Sequence, residues 1–319
     1  MLKKLIKKNK FLYKNCKKIQ THLININRFK CNYKFQNRSK NEKCLCIVLS
    51  GYKTFLMDDV FERIIKFKKE KMDMCIITSG LYSEKIDQIC KMNGWSYLST
   101  KENNVSLVQN VAIKLHPSAK YIFKLDEDVF ITKDYFERML NAYKHAESSD
   151  YIPGVVAPLL NVNGYASKRI LNKIGLNEEY KNRFEEPKYA AGISRQIENN
   201  YKASEFMWGK DGLIPQIDIL NEKLWNEVHT ELPCPIRFSI GAILFKRELW
   251  ENMRYFKVNR KNNSMGADEE QLCNFCVLES RPIMVSENIV VGHFSFGSQT
   301  KGMKDFYKLN KDLFKINAV

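Results

Sequence analysis

The sequence predicts an α/β protein in which a mostly parallel, Rossmann-like central sheet is flanked by helices and preceded by a basic amphipathic helix. Two observations predict the sheet. Short runs rich in β-branched and aliphatic residues alternate with amphipathic stretches across residues 44–125, and strand-helix alternation at that pace requires right-handed crossovers between parallel strands. The third observation concerns charge. The formal net charge is +16, yet residues 1–41 hold 13 lysines and arginines and no acid, which leaves only +3 for the other 278 residues. The body is nearly balanced and the basicity belongs to the N-terminal segment, so nucleic-acid binding by the body is not expected.

Each element has its own signal. In residues 2–26 the apolar Leu2, Leu5, Ile6, Leu12, Cys16, Ile19 and Leu23 recur at helical spacing with lysines between them, the pattern of a helix lying on an anionic membrane surface. Residues 28–43 read as a polar linker. Cys44–Leu49 is a buried strand that turns out through Ser50-Gly51-Tyr52. A helix follows with Val60, Ile64, Ile65 and Phe67 on one face, then a strand at 74–78 ending in Ser79-Gly80, a helix at 83–92 and a short strand at 95–98. Val105–Leu115 is a helix, and Tyr121–Leu125 a strand that ends on Asp126-Glu127-Asp128. Residues 153–225 read as irregular loops and short helices. A strand returns at 238–245, followed by a helix near Arg247, a helix over Ala267–Leu278 and strands at 283–285 and 289–293. The expected organisation is a basic tail and linker (1–42), a first half (43–150), a second half (151–300) and a C-terminal tail (301–319).

Composition narrows the class. Hydrophobic residues make up 44% of the 319, enough for a real core. No apolar run approaches the roughly 20 residues that span a bilayer. Lysines follow Leu5-Ile6 where a secretory signal would have its apolar stretch. A cytoplasmic location, peripheral on the inner face of the membrane, is expected. The nine cysteines are odd in number and set in apolar strings, as reduced buried thiols are. Cys44-x-Cys46 and Cys273-x-x-Cys276 have zinc-ligand spacing but fall inside regular elements.

The acidic triplet concentrates the chemistry. Three adjacent carboxylates at the end of a buried strand repel one another and call for a cation. Mn²⁺ or Mg²⁺ suits carboxylate oxygens, with a diphosphate supplying further ligands. In extended chain Asp126 and Asp128 leave one face and Glu127 the other, which predicts that Glu127 tolerates substitution. An EF-hand loop is excluded because Phe130 cannot be a ligand and Ile131 replaces the required glycine. In an aspartate-nucleophile phosphatase a small hydroxyl residue would follow, whereas Val129-Phe130 does here. The remaining alternative is a solvated acidic turn.

Residues 102–110, with Asn110, followed by Tyr121-Ile122-Phe123-Lys124-Leu125-Asp126-Glu127-Asp128, resemble family 2-like glycosyltransferases of the GT-A fold, of the bacterial polysaccharide and glycolipid type. The resemblance covers roughly residues 44–296, with the middle third unmatched; Val105 stands where the family often has glycine and Gln109 where it often has arginine. It implies a metal site of Asp126, Asp128 and His293, the last from Val291-Gly292-His293-Phe294. Gly266-Ala267-Asp268-Glu269-Glu270 looks like the acidic helix start that supplies the base in inverting members. Asp268 is the first choice and Glu269 the second, because a carboxylate among free N–H groups at a helix start stays ionised; a plain capping cluster is the other reading. Nucleotide-sugar contacts are expected from Ser50, Gly51, Ser79, Asn110 and Asp126, at the carboxyl ends of the strands, and from Trp208 in a glycine-flanked loop. The implied activity is metal-dependent transfer of a sugar from a nucleotide-diphosphate donor, a UDP-sugar being favoured, to a glycan or lipid-linked hydroxyl. Two rivals differ in their marks. A sugar nucleotidyltransferase would have a glycine-rich loop where Leu49-Ser50-Gly51-Tyr52-Lys53 offers one glycine, and a nucleic-acid-binding protein would have a basic body.

Overall fold

The computed structural model describes residues 10–191, 196–260 and 266–317. Helix α1 (Lys10–Phe29) leads through β1 (Tyr33–Gln36) to β2 (Cys44–Leu49). Then come α2 (Met57–Phe67), β3 (Asp73–Ser79), α3 (Glu84–Asn93), β4 (Ser96–Thr100), α4 (Val105–Leu115), β5 (Tyr121–Leu125) and the short β6 (Val129–Phe130). The second half holds α5 (Tyr135–Glu147), β7 (Val155–Leu160), α6 (Ala166–Ile174), α7 (Asn177–Arg183), α8 (Tyr201–Met207) and α9 (Ile217–Trp225). It closes with β8 (Glu231–Pro233), β9 (Ala242–Lys246), α10 (Arg247–Asn252), α11 (Ala267–Leu278), β10 (Ile283–His293) and α12 (Thr300–Leu309).

The strands form one mixed sheet in the order β1-β4-β3-β2-β5-β9-β7-β10-β6, with β8 on β10. Strands β2, β3, β4, β5, β7 and β10 point one way, and β1, β6, β8 and β9 run against them. The parallel strands are apolar without alternation, Leu45 to Val48 being wholly buried, because helices such as α4 pack over them. Successive crossovers from β2 build outward to β3 and β4, whereas β5 returns to the other side of β2. That reversal opens a crevice between the carboxyl ends of β2 and β5, the place where open sheets bind ligands.

Several expectations change. The linker at 28–43 contains β1, which pairs antiparallel with β4 from Tyr33 opposite Thr100 to Gln36 opposite Tyr97. The region 153–225 contains β7, a strand between β9 and β10. Pro158 obscures it in the sequence, and it falls at the bulge where the β7–β10 register shifts between Val285 and Val290. That same bulge makes 283–293 one strand where the sequence suggests two. The sheet runs unbroken past residue 150, since β9 lies between β5 and β7. Residues 301–317 are packed body: Phe314 is fully buried against Trp208, Phe294 and Tyr307. Arg63, also fully buried, binds Asp218 at 2.7 and 3.0 Å and donates to the carbonyls of Phe314 and Lys315. For the N-terminal helix, Leu2, Leu5 and Ile6 lie outside the described residues, and α1 extends to Phe29. Among the described residues all nine cysteines are free, and no three His, Cys, Asp or Glu side chains gather as a metal site, the paired-cysteine zinc arrangement included.

Asn110 holds α4 to the chain around it. Its Nδ2 donates to the carbonyls of Phe256 at 2.8 Å and Arg28 at 3.2 Å, and its Oδ1 accepts from Trp250 Nε1 and Phe256 N, both at 2.9 Å. The amide is buried and its hydrogen-bonding capacity is used inside the protein. Asn110→Ala should therefore lower stability by about 3 kcal/mol, since several buried groups lose their partner together. Urea unfolding measures it, and a loss within about 0.5 kcal/mol, the range of ordinary surface changes, would contradict this role.

Candidate active site

The acid turn is positioned by two ladders. Asp126 N donates to Gly241 O at 2.8 Å, prolonging the β5–β9 pairing, and Val129 N closes the turn on Asp126 O at 3.2 Å. β6 then pairs antiparallel with the end of β10, Val129 opposite His293. Phe294 N donates to Asp128 O at 3.0 Å, which sets the histidine beside the acids.

His293 is oriented by its surroundings. Its N–H reaches Asn161 Oδ1 at 2.8 Å, and its Nδ1 lies 2.8 Å from Val162 O. A carbonyl only accepts, so Nδ1 carries a proton, and Nε2 points toward Asp128, 3.7 Å from its Oδ2. Trp208 is a buttress to this arrangement. Its ring is buried against Phe130 and Phe314, and its Nε1 donates to His293 O at 3.2 Å. A Cβ at Gly292 would overlap that ring, which is why glycine precedes the histidine. Trp208 therefore presents no open face for a sugar, because its ring is buried with Phe314 lying 4.4 Å from it.

Each acid of the triplet has a partner. Lys124, buried in β5, shares a face with Asp126 and reaches its Oδ1 at 2.6 Å while donating to Ile240 O at 2.7 Å. Lys53, at the β2 exit, contacts Asp128 Oδ2 and lies 3.1 Å from Ser295 O. Glu127 accepts from Tyr52 N at 2.8 Å. Its expected tolerance to substitution is corrected by this contact, since Glu127 holds the loop that carries Lys53.

The surroundings separate the acids electrostatically. Burial pushes Asp126 above its usual range, with Asp128 adding to the effect and Lys124 opposing it; about a third of its side chain, 32%, stays exposed. Burial acts on Asp128 in the same direction, but Lys53 and His293 outweigh it and hold that carboxyl below its ordinary value. Burial also raises Glu127, against the N–H groups of Lys53 and Tyr52. Two carboxylates two residues apart are thus driven in opposite directions.

The two acids at the start of α11 have different partners. Asp268 lies in the first turn of α11, and Gln109 Nε2 holds its Oδ2 at 2.7 Å. Glu269 is engaged by Arg237 at 2.6 Å and by Ile240 N at 3.4 Å, so it anchors the approach to β9. Burial raises it while Arg237 opposes. Of the remaining predicted residues, Ser50, Gly51 and Ser79 lie at the carboxyl ends of β2 and β3. Ser50 N donates to Ile77 O at 3.0 Å, Gly51 takes the left-handed φ of +117°, and Ser79 Oγ donates to Asn103 Oδ1 at 3.0 Å. Asn110 is committed to the packing described above and has no hydrogen-bonding group left for a nucleotide.

The oxygen of Asp128 and the nitrogen of His293 are donors of the kind a divalent cation takes. Lys53 Nζ is a cationic stand-in at that carboxylate. Asp126 faces Lys124 instead. Lys53, Lys124, Gln109 and Arg237 were missed as site residues; a lysine inside the apolar run Phe123-Lys124-Leu125, two before Asp126, was the readable signal. A separate cleft of about 240 Å³ lies beside β8, where Glu231 is already matched by His145.

The lowered Asp128 gives a pH test. Its stabilising contribution is complete above the unfolded value near 4 and is lost as pH falls through the lower folded value. Asp128→Asn removes it, so in chelator-treated buffer the melting temperatures of wild type and variant should differ at neutral pH and converge below about pH 4. A gap that stays constant into acid would show that Asp128 carries no such contribution.

No family model matches the chain, and no curated protein matches it. Among solved structures, a mannosyltransferase from Pyrobaculum calidifontis in complex with GDP-Man and Mn²⁺ is similar over 86% of this chain and 62% of its own, at 12% identity and TM-score 0.46. TarS 1–349 of S. aureus in complex with UDP is similar over 85% and 64%, at 13% identity and TM-score 0.45. The longer S. aureus TarS structure is similar over 85% and 39%, at 11% identity and TM-score 0.48. The chain spans less than two thirds of the length of each.

Proposed function

We propose that the chain is a glycosyltransferase that moves a sugar from a nucleotide-diphosphate donor, a UDP-sugar being favoured, to a hydroxyl of a glycan or lipid-linked acceptor. The observation that carries this is convergence. At the crevice between β2 and β5, Asp126, Asp128, His293, Lys53 and the Gln109-held Asp268 come together from five separate stretches of chain. Such a crevice takes nucleotides, and this one has one side that suits a diphosphate and another that suits proton removal. The GT-A resemblance of residues 121–128 and 266–270 points to the same chemistry.

A Mn²⁺ or Mg²⁺ ion at Asp128 and His293 would offset the charge that grows on the leaving diphosphate. The protein's own residues do the rest. Asp126, fixed by Lys124, faces the donor and orients it. Lys53 Nζ exchanges Asp128 for a phosphate oxygen and binds the leaving group as its charge develops. Asp268, held through Oδ2 by Gln109, takes the proton of the acceptor hydroxyl. The acceptor oxygen then bonds to the anomeric carbon as the carbon–oxygen bond to the diphosphate breaks, and the diphosphate leaves with the electron pair. A single displacement of this kind inverts the anomeric configuration.

Screening nucleotide sugars for Mn²⁺-dependent thermal stabilisation tests the reading. One donor should raise the melting temperature of the wild type, and Asp128→Ala should abolish the rise; an unchanged rise in that variant, or no stabilising donor, overturns it. Once a donor is found, Asp268→Asn should keep the donor-induced shift and lower kcat by about 10²–10⁴-fold. Retained turnover would move the base elsewhere.

A further inference from the structure

Helix α1 packs on the protein through its last turn. Phe29 packs edge-on against Tyr255 at 4.7 Å and Trp250 at 6.0 Å, and Lys114 lies 4.7 Å above its ring. Ahead of that turn most of the described side chains are exposed. Ile19 and Leu23 are each 60% exposed and Ile26 42%, and their spacing of four and three residues puts them on one stripe. Aliphatic side chains so aligned are not left in water without a partner. In sequence this stretch carries Lys10, Lys14, Lys17, Lys18, Arg28 and Lys30, and residues 1–41 contain no acid.

Charge selects the partner. A second copy of the helix would bring like charge against like charge. Nucleic acid would use the lysines and leave the aliphatic stripe wet. An anionic lipid surface accepts both, headgroups meeting the lysines while Ile19, Leu23 and Ile26 enter the acyl boundary.

The base of the helix is fastened to the acceptor side of the crevice. Arg260 Nη2 donates to Lys30 O at 2.6 Å and Asn27 O at 3.2 Å, closing on the end of α1. Asn110 joins Arg28 O to Phe256, and Asn104, which caps α4 through Leu107 N at 3.0 Å, reaches Asn259 O at 3.1 Å. From the other end Gln271 of α11 donates to Tyr255 O at 3.0 Å. The stretch 253–260 is thus clamped between α1 and the helix whose first turn carries Asp268. Arg254 and Tyr255 within it take left-handed φ of 59° and 69°, conformations that persist only where neighbours enforce them.

We infer that α1 is an amphipathic anchor for an anionic lipid surface, and that the Arg260 clamp transmits lipid binding to the segment that positions α11. Its effect on turnover rests on the reading of Asp268 as the base; lipid binding and the clamp do not. Sedimentation of the full chain with phosphatidylcholine vesicles containing about 30% phosphatidylglycerol, against phosphatidylcholine alone, tests the anchor. The protein should sediment with the anionic vesicles only, and the double variant Ile19→Glu, Leu23→Glu should bind at least about tenfold more weakly. Equal binding to neutral vesicles, no binding, or binding unchanged in the variant overturns the anchor. Hydrogen exchange tests the clamp. Anionic vesicles should slow exchange in 253–260 and α11 of the wild type and not in Arg260→Ala. Absence of protection in the wild type, or equal protection in the variant, overturns the coupling. Neither measurement involves a donor sugar, so its failure and that of the donor-dependent thermal shift are told apart.

Discussion

Five carboxylates, Asp126, Glu127, Asp128, Asp268 and Glu269, meet where β5 leaves the sheet, and the surrounding structure is arranged to offset them. Without compensation this much buried negative charge would unfold the turn. The compensation comes from scattered places: Lys124 inside the strand, Lys53 at the β2 exit, Arg237 before β9, and amide donors from Gln109 and Tyr52. The partners come from four separate stretches of chain, 52–53, 109, 124 and 237, so the sheet order and the acid cluster require one another. Moving β9 away from β5, for instance, would remove both the Gly241 carbonyl that receives Asp126 N and the Ile240 carbonyl that receives Lys124.

The partners also divide the acids by task. Glu127 and Glu269 are spent on structure, one holding the β2 exit and the other the approach to β9. Asp128 faces His293, whose Nδ1 is held by the Val162 carbonyl, and Asp268 is held by the neutral amide of Gln109. Asp126 keeps part of its surface open.

Much of the first half was legible in the sequence, because its strands are buried on both faces and read as unbroken apolar runs bounded by Ser-Gly turns. The triplet stood out for the same reason: three acids follow directly on four buried positions, Ile122 to Leu125. The second half was less legible. Pro158 hid β7, although a proline is harmless where the ladder is already broken by a bulge. β1 was hidden because an edge strand needs little apolar content. As candidates, His293 was legible from its place beside a glycine and Asp268 from its place at a helix start. Trp208 and Asn110 were read as ligand contacts because loop tryptophans and helix asparagines look alike in sequence whether they face solvent or core. Only the Gly292 contact and the saturated amide tell the two cases apart.

The burial of Phe314 has a consequence for how the molecule comes into being. This ring packs beneath Trp208, which in turn supports the carbonyl of His293, while Arg63 from the early α2 grips the Phe314 carbonyl. The site therefore cannot be completed while the chain is still being made: His293 lacks its support until residue 314 has emerged from the ribosome. A nascent chain stalled earlier would expose the faces of Trp208 and Phe130 to solvent, a surface that folding chaperones are built to hold.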